Sequence, residues 1–176
     1  MVDVTAVSGD FLLAHSTLKR VQADLKSGDI VIFNTSANVF HVNGHSGMLN
    51  SNDVDAKEEI SYHTISGNME LENINTKNFF VDTKSGKIVV NRLTSENIDL
   101  VTDTGLMLLN NLAGSGNIKS DVGKINLSLA EKSKFNLSIQ SKVGNISVNV
   151  PPAIFFRFKI KTKKIGPTDF PLDAII

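Results

Sequence analysis

The chain has 176 residues, eighteen Lys+Arg against eighteen Asp+Glu, and no cysteine. That length suits one domain with a core of its own, while the missing thiols exclude a disulfide framework, a thiol nucleophile and any Cys-ligated metal. Zero net charge argues against nucleic acid, whose phosphates call for a cationic excess, and no apolar run approaches the ~18–20 residues that span a bilayer.

In chain order, one unit recurs: VSGDFLL from Val7 to Leu13, KSGDIVI from Lys26 to Ile32, HSGMLNS from His45 to Ser51, ISGNMEL from Ile65 to Leu71, KSGKIVV from Lys84 to Val90 and DTGLMLL from Asp103 to Leu109. Two degenerate copies follow, DVGKINL from Asp121 to Leu127 and KVGNISV from Lys142 to Val148. The repeat markers Gly9, Gly28, Gly47, Gly67, Gly86, Gly105, Gly123 and Gly144 are spaced by 19, 19, 20, 19, 19, 18 and 21 residues. A fixed period of this length is the signature of a stacked repeat architecture.

Two places after each marker stand Phe11, Ile30, Leu49, Met69, Ile88, Met107, Ile125 and Ile146. Four places after stand Leu13, Ile32, Ser51, Leu71, Val90, Leu109, Leu127 and Val148, with mostly polar residues between. This alternation is that of a half-buried strand. A second strand precedes the marker, with Phe40, Ile60, Phe79 and Ile98 seven places before and Val42, Tyr62, Val81 and Leu100 five places before. Neither strand can bury its apolar face alone, whereas stacked coils bury a continuous core. The predicted fold is therefore all-β: a single parallel β-solenoid over 1–176, with about eight to nine coils and two short strands per coil. At ~4.8 Å per coil the body is roughly 40 Å long.

The hydroxyls three places before the marker (Thr64, Thr83, Thr102, Ser120, Ser141) and one place before (Ser8, Ser27, Ser46, Ser66, Ser85, Thr104) are both assigned inward parity. The glycine then absorbs the phase change, and the stacked hydroxyls pair with one another or with corner backbone. The second turn carries Asn34, Asn73, Asn75, Asn91, Asn110 and Asn111, a residue type that tolerates left-handed φ. Ile74, Leu93 and Leu112 plug that corner.

Two departures break the pattern. Asn110 to Lys119 shortens one coil and puts Gly116 in a core column, and Ser128 to Asn136 lengthens the next turn. Regular coils run over 7–150. From 151 to 176 the chain reads as a degenerate last coil and a cap, since an open stack end exposes an edge. The first coil begins almost at a marker and reads as cut, the pattern of a fragment of a longer protein.

The repeated [ST]-G-x-Φ-x-Φ unit of TISGNMEL, TKSGKIVV and TDTGLMLL, with VNVPPAIFFRFKIKT, resembles a bacterial family of adhesin-like β-solenoids (domain of unknown function 4097). The resemblance runs from Val7 to about Gly166. It implies a surface-associated or envelope-linked bacterial domain and no catalytic residues.

The residues offer little chemistry beside it. His15, His41, His45 and His63 fall outward or in turns without HxH or HExxH spacing, so no metal ligand set is assigned. Glu70 with Glu72 and Asp99 with Asp103 share outward faces but are interleaved with Lys and Asn, the pattern of a solvated strand rather than a polysaccharide-cleaving groove. GSGNIKSDVG from Gly114 to Gly123 lacks the Walker spacing, and no G-x-S-x-G elbow occurs. The Asn34-Thr35-Ser36 and Asn145-Ile146-Ser147 acceptor strings stand without a secretory signal and read as accidents of composition. The basic tail, Arg157, Lys159, Lys161, Lys163 and Lys164, reads as the outward side of a last strand, with an anion-binding patch as the alternative.

The functional expectation is a non-enzymatic structural or binding module with no catalytic site, cofactor or metal. Its partners would be a repetitive polymer (cell-wall or host glycan) or a protein, with homo-oligomers through coil ends or faces and no membrane span in this chain. A regulatory or oligomer-forming envelope-stress domain is the alternative, and a carbohydrate-active enzyme on a β-helix a more distant one. The expected location is the cell surface or envelope. MVDVTAVSGD has no signal-peptide pattern, which leaves the cytoplasm open.

Overall fold

The computed structural model describes the backbone of residues 1–131, 135–152 and 156–161, and the side chains of 1–131 and 136–152. Among the described residues nine strands form one sheet wound on itself: β1 (Val2–Ala6), β2 (Phe11–Thr17), β3 (Arg20–Leu25), β4 (Ile30–Ser46), β5 (Leu49–Ser66), β6 (Met69–Leu129), β7 (Phe135–Val143), β8 (Ile146–Asn149) and β9 (Phe156–Lys161). All pairings among these strands are parallel, and their register is the register of the glycine markers. Phe11 pairs with Ile30, Ile30 with Leu49, Leu49 with Met69 and Ile125 with Ile146. On the preceding strand Val21 pairs with Phe40, Phe40 with Ile60 and Ile60 with Phe79. The chain is a parallel β-solenoid, and each coil sits on its sequence neighbour because their apolar columns coincide.

The core is one continuous stack. Ile30, Leu49, Met69, Ile88, Met107 and Ile125 are buried, as are Phe40, Ile60, Phe79, Ile98 and Leu100. Phe11 is half-buried rather than enclosed, because its coil has a neighbour on one side only among the described residues. Ile74, Leu93 and Leu112 fill the second corner as expected. The ladder also continues past them: Thr35, Ser36 and Ala37 pair with Val54, Asp55 and Ala56. Each such coil thus adds a short third inward-facing run to the two strands read from the sequence.

The hydroxyl columns divide. Thr64, Thr83, Thr102, Ser120 and Ser141 are buried, and Thr64 Oγ1 donates to Thr83 Oγ1 at 2.9 Å. The column one place before the marker does not face inward. Ser8, Ser27, Ser46, Ser66 and Thr104 are exposed and Ser85 is half-buried. Inward alternation ends three places before the glycine, and the corner occupies the positions after it. The expected bond to corner backbone is nonetheless made on the outside. The hydroxyls of Ser27, Ser46, Ser66 and Thr104 donate to the carbonyls of Val7, Lys26, His45 and Lys84 of the preceding coil. One place after the marker, Asp10 accepts the Asp29 N–H at 2.9 Å and Asp29 accepts the Met48 N–H at 2.7 Å.

The second corner has its own ruler. His15, Asn34, Asp53, Asn73, Arg92 and Asn111, six places after successive markers, all take left-handed φ between 47° and 59°. Asn34, Asn73 and Asn111 were expected there; Asn75, Asn91 and Asn110 are not left-handed. Side chains link this corner between coils, Asn73 Nδ2 donating to Asp53 Oδ1 at 2.6 Å and Arg92 bonding Asn73 and Glu72. The shortened coil turns on Gly114 and Gly116, both at positive φ. A Cβ on Gly116 would lie 1.9 Å from the Ile98 carbonyl oxygen, so the gap in the apolar column is a point of close backbone approach.

Ser51, the polar member of its column, meets the one tyrosine. Its Oγ lies 2.8 Å from the Tyr62 hydroxyl, and both residues are buried. Burial pushes the Tyr62 phenol above the ordinary tyrosine range, against a smaller opposing effect of the Ser51 bond. The folded state therefore holds this proton more tightly than the unfolded chain does. The resulting stability is complete below the ordinary value of 10.0 and falls as pH rises beyond it, by about 1.4 kcal/mol per unit. Urea titrations from pH 8 upward should show Tyr62→Phe about 1–3 kcal/mol less stable at pH 8, because the Ser51 hydroxyl loses its partner. The same variant should have a flatter alkaline decline. Parallel wild-type and variant profiles would show that Tyr62 does not carry that slope.

Candidate functional site

Outward side chains and nearly buried ones together line shallow hollows among the described residues, the following two among them. The larger, about 520 Å³, crosses four coils at the positions eight to ten places after the markers. Its floor is Ala56, Thr76, Ser95 and Gly114, small side chains in one column, and Lys57 and Lys77 stand on its rim. The floor hydroxyls are committed to backbone. Thr76 Oγ1 donates to Asn78 O at 3.2 Å, and Ser95 Oγ lies 2.9 Å from Asn97 O and 3.1 Å from Lys77 O. What faces outward is a trough with a regular period along the stack and polar side chains (Asn75, Thr94, Glu96) on its slopes. The smaller hollow, about 380 Å³, is lined by Asn50, Asn52, Glu70, Glu72, Lys87 and Asn91.

Sequence-flagged titratable residues are distributed rather than gathered. His15 packs edge-on against Phe33 at 5.0 Å between ring centres. His41 Nδ1 is 3.8 Å from Glu59 and His63 Nδ1 is 3.0 Å from Asp82, each carboxylate belonging to the next coil, while His45 is exposed. Among the described residues no group of three or more His, Asp or Glu is placed to hold a metal ion. Glu72 pairs with Arg92, Asp103 is exposed, and Asp99 is half-buried. Arg157, Lys159 and Lys161 lie on β9, in register with Asn136, Ser138 and Gln140. Their side chains, and Lys163 and Lys164 altogether, lie outside the described residues.

The trough went unread in the sequence. Its floor belongs to a column, Ala37, Ala56, Thr76, Ser95 and Gly114, at nine places after the markers. The signal was its uniformly small size at the repeat period.

A parallel solenoid with a ~19-residue coil, two glycine- and left-handed-residue corners and polar outer faces defines a class of repeat domain. The chain belongs to the Toastrack DUF4097 family, whose model matches residues 1–164. No curated protein and no solved structure matches it significantly. No helix among the described residues is long and apolar enough to cross a membrane.

Proposed function

We propose that this chain is a non-catalytic binding module that holds an extended, repetitive polymer or a protein segment against its flank, in an envelope-associated or surface setting. The trough floored by Ala56, Thr76, Ser95 and Gly114 carries the reading. It repeats at the coil spacing, it is open along the stack, and its floor hydroxyls already bond to backbone, so its slopes supply the contacts. Evenly spaced polar side chains match a ligand that is itself periodic. Lys57 and Lys77 favour a polymer carrying some negative charge, such as an acidic glycan.

Thr94→Trp tests this, because Thr94 is exposed and its replacement fills the trough without entering the core. In co-sedimentation with insoluble bacterial cell-wall polymer, the wild-type chain should pellet with the polymer. The variant should remain in solution, with an unchanged melting temperature. Equal retention of both would move binding elsewhere, and release of soluble fragments from the polymer would overturn the non-catalytic reading.

A further inference from the structure

We infer that the solenoid opens at one joint, between the coil of Gly105 and the coil of Gly123. The chain from about Ser115 onward comes away as one unit while the coils before it stay folded. The joint lies beyond the trough, whose lining ends at Gly114, so this does not rest on the polymer-binding proposal. Among the described residues, side-chain hydrogen bonds or ion pairs tie every other pair of neighbouring coils from Gly9 to Gly144. Just before the joint, Thr104 Oγ1 donates to the Lys84 carbonyl at 3.0 Å and Asn110 Nδ2 to Asn91 Oδ1 at 2.9 Å. Just after it, Lys142 Nζ lies 2.7 Å from Asp121 Oδ2, and Ser141 Oγ donates to the Gly123 carbonyl at 3.3 Å. Across the joint itself, the Ala130 N–H donates to the Leu112 carbonyl at 2.9 Å, a bond of backbone alone.

The residues at the joint account for the gap. One place before the marker, Ser27, Ser46, Ser66 and Thr104 clamp the preceding coil, but Val122 stands in that column, 48% exposed and with no hydroxyl to donate. One place after the marker, Asp10, Asp29 and Asn68 accept an N–H of the next coil, whereas Leu106 has no acceptor to offer. The apolar stack is thinner here too, since Gly116 places no side chain between Ile98 and Leu137.

Polar groups on the two coils are also incompletely paired. Ser120 Oγ is buried with no hydrogen-bond partner in the protein, although Ser120 follows Thr102 in the inward hydroxyl column. Thr102 Oγ1 donates within its own coil instead, to the Thr104 carbonyl at 3.3 Å. Asp99 Oδ1 on the coil before and Asn126 Oδ1 on the coil after are buried and unpartnered as well, so three of the four such atoms among the described residues flank one joint. A buried group without a partner costs the closed state a bond that water would supply, so opening here recovers hydration that a fully bonded joint does not offer. In a solenoid each coil touches only its neighbours, stability is a sum over coils and joints, and the weakest joint parts first. The coils of Gly123 and Gly144 leave together because their own side-chain bonds hold them to each other. Opening bares the strands at Ile98–Leu100 and Met107–Leu109 as an unpaired edge, so exposure of that edge is governed by the joint.

Native-state hydrogen exchange of the 176-residue chain, read by mass spectrometry in sub-denaturing urea, tests this. Amides of 117–150 should exchange as a group, at least about tenfold faster than those of 69–100. The boundary should be a step at the joint, not a decline from coil to coil. The double variant Leu106→Asn, Val122→Ser rebuilds both clamps, giving the Lys124 N–H an acceptor and the Asp103 carbonyl a donor. It should slow exchange of 117–150 by about tenfold and leave 69–100 unchanged. Equal exchange on the two sides of the joint overturns the proposal, as does a gradual decline toward 150. So does a clamped variant whose 117–150 amides exchange as fast as those of the wild type.

Discussion

Ile88→Asp should leave the chain unfolded at room temperature. Ile88 is fully buried in the middle of the stack, in the column that runs from Leu49 and Met69 before it to Met107 and Ile125 after it. A carboxylate there has no partner in its column and no route to water, and an unpaired buried charge costs several kcal/mol even after relaxation. Loss of the isoleucine packing adds about 2–5 kcal/mol. Together these match the whole stability of an ordinary domain, about 5–15 kcal/mol. Val89→Asp is the control. Val89 points outward into the smaller hollow, so its replacement should shift the melting temperature by only a few degrees. The pair isolates the parity of one strand: two Asp substitutions, one residue apart, with opposite outcomes in thermal unfolding followed by circular dichroism. Equal melting temperatures would contradict the inward and outward assignment.

Gly86→Ala should be the next most damaging, although it adds one methyl group. Gly86 has φ of 135°, and its Cβ would lie 2.0 Å from the carbonyl oxygen of Gly67 in the preceding coil. Backbone cannot swing aside as a long side chain can. The coils must separate at that corner, weakening the neighbouring ladder bonds from Lys87 N–H to Asn68 Oδ1 and from Gly67 N–H to Ser85 O. Strain at such a φ costs about 1–3 kcal/mol by itself, and the clash adds to it. Gly9→Ala separates the two effects, since its φ is 116° but a Cβ there meets nothing within 4 Å. It should show the φ strain alone. In urea unfolding Gly86→Ala should lose at least twice what Gly9→Ala loses, and equal losses would mean that close stacking is not what the marker glycines serve.

The marker glycines, the apolar columns on either side of them and the parallel register were legible because each recurs from coil to coil in chain order. A feature present in every coil is visible without any knowledge of the third dimension. The outward turn of Ser27, Ser46 and Ser66 was not legible, because parity counts alternate positions and cannot say where a corner interrupts the alternation. The left-handed column was half legible. Asn34, Asn73 and Asn111 announce it, and His15 and Asp53 are also of types that visit this region, while Arg92 adopts the same φ without that composition. Ser51 looked like an exception to its column until Tyr62, eleven residues on and across the core, supplied its partner. The trough stayed hidden for a related reason. Its small residues belong to a short inward-facing run, and only the stacking of four coils leaves them as the floor of a hollow.

The side-chain bonds between coils have a kinetic meaning. Those at the corners and along the outer faces join residues 18–21 apart in sequence, and the strand registers repeat the same interval. A separation near 19 in a chain of 176 is about a ninth of its length. All-β sandwiches and barrels usually average well above this fraction, whereas helical bundles fall near it. Each coil needs only one short loop closed before it rests on the last, and the entropy of closing 19 residues is the same for the eighth coil as for the second. Once two coils have met, the rest can be added one at a time, with no pairing that waits for distant parts of the chain. An architecture built wholly of parallel strands is thus freed from the slow, long-range search that parallel strands ordinarily impose.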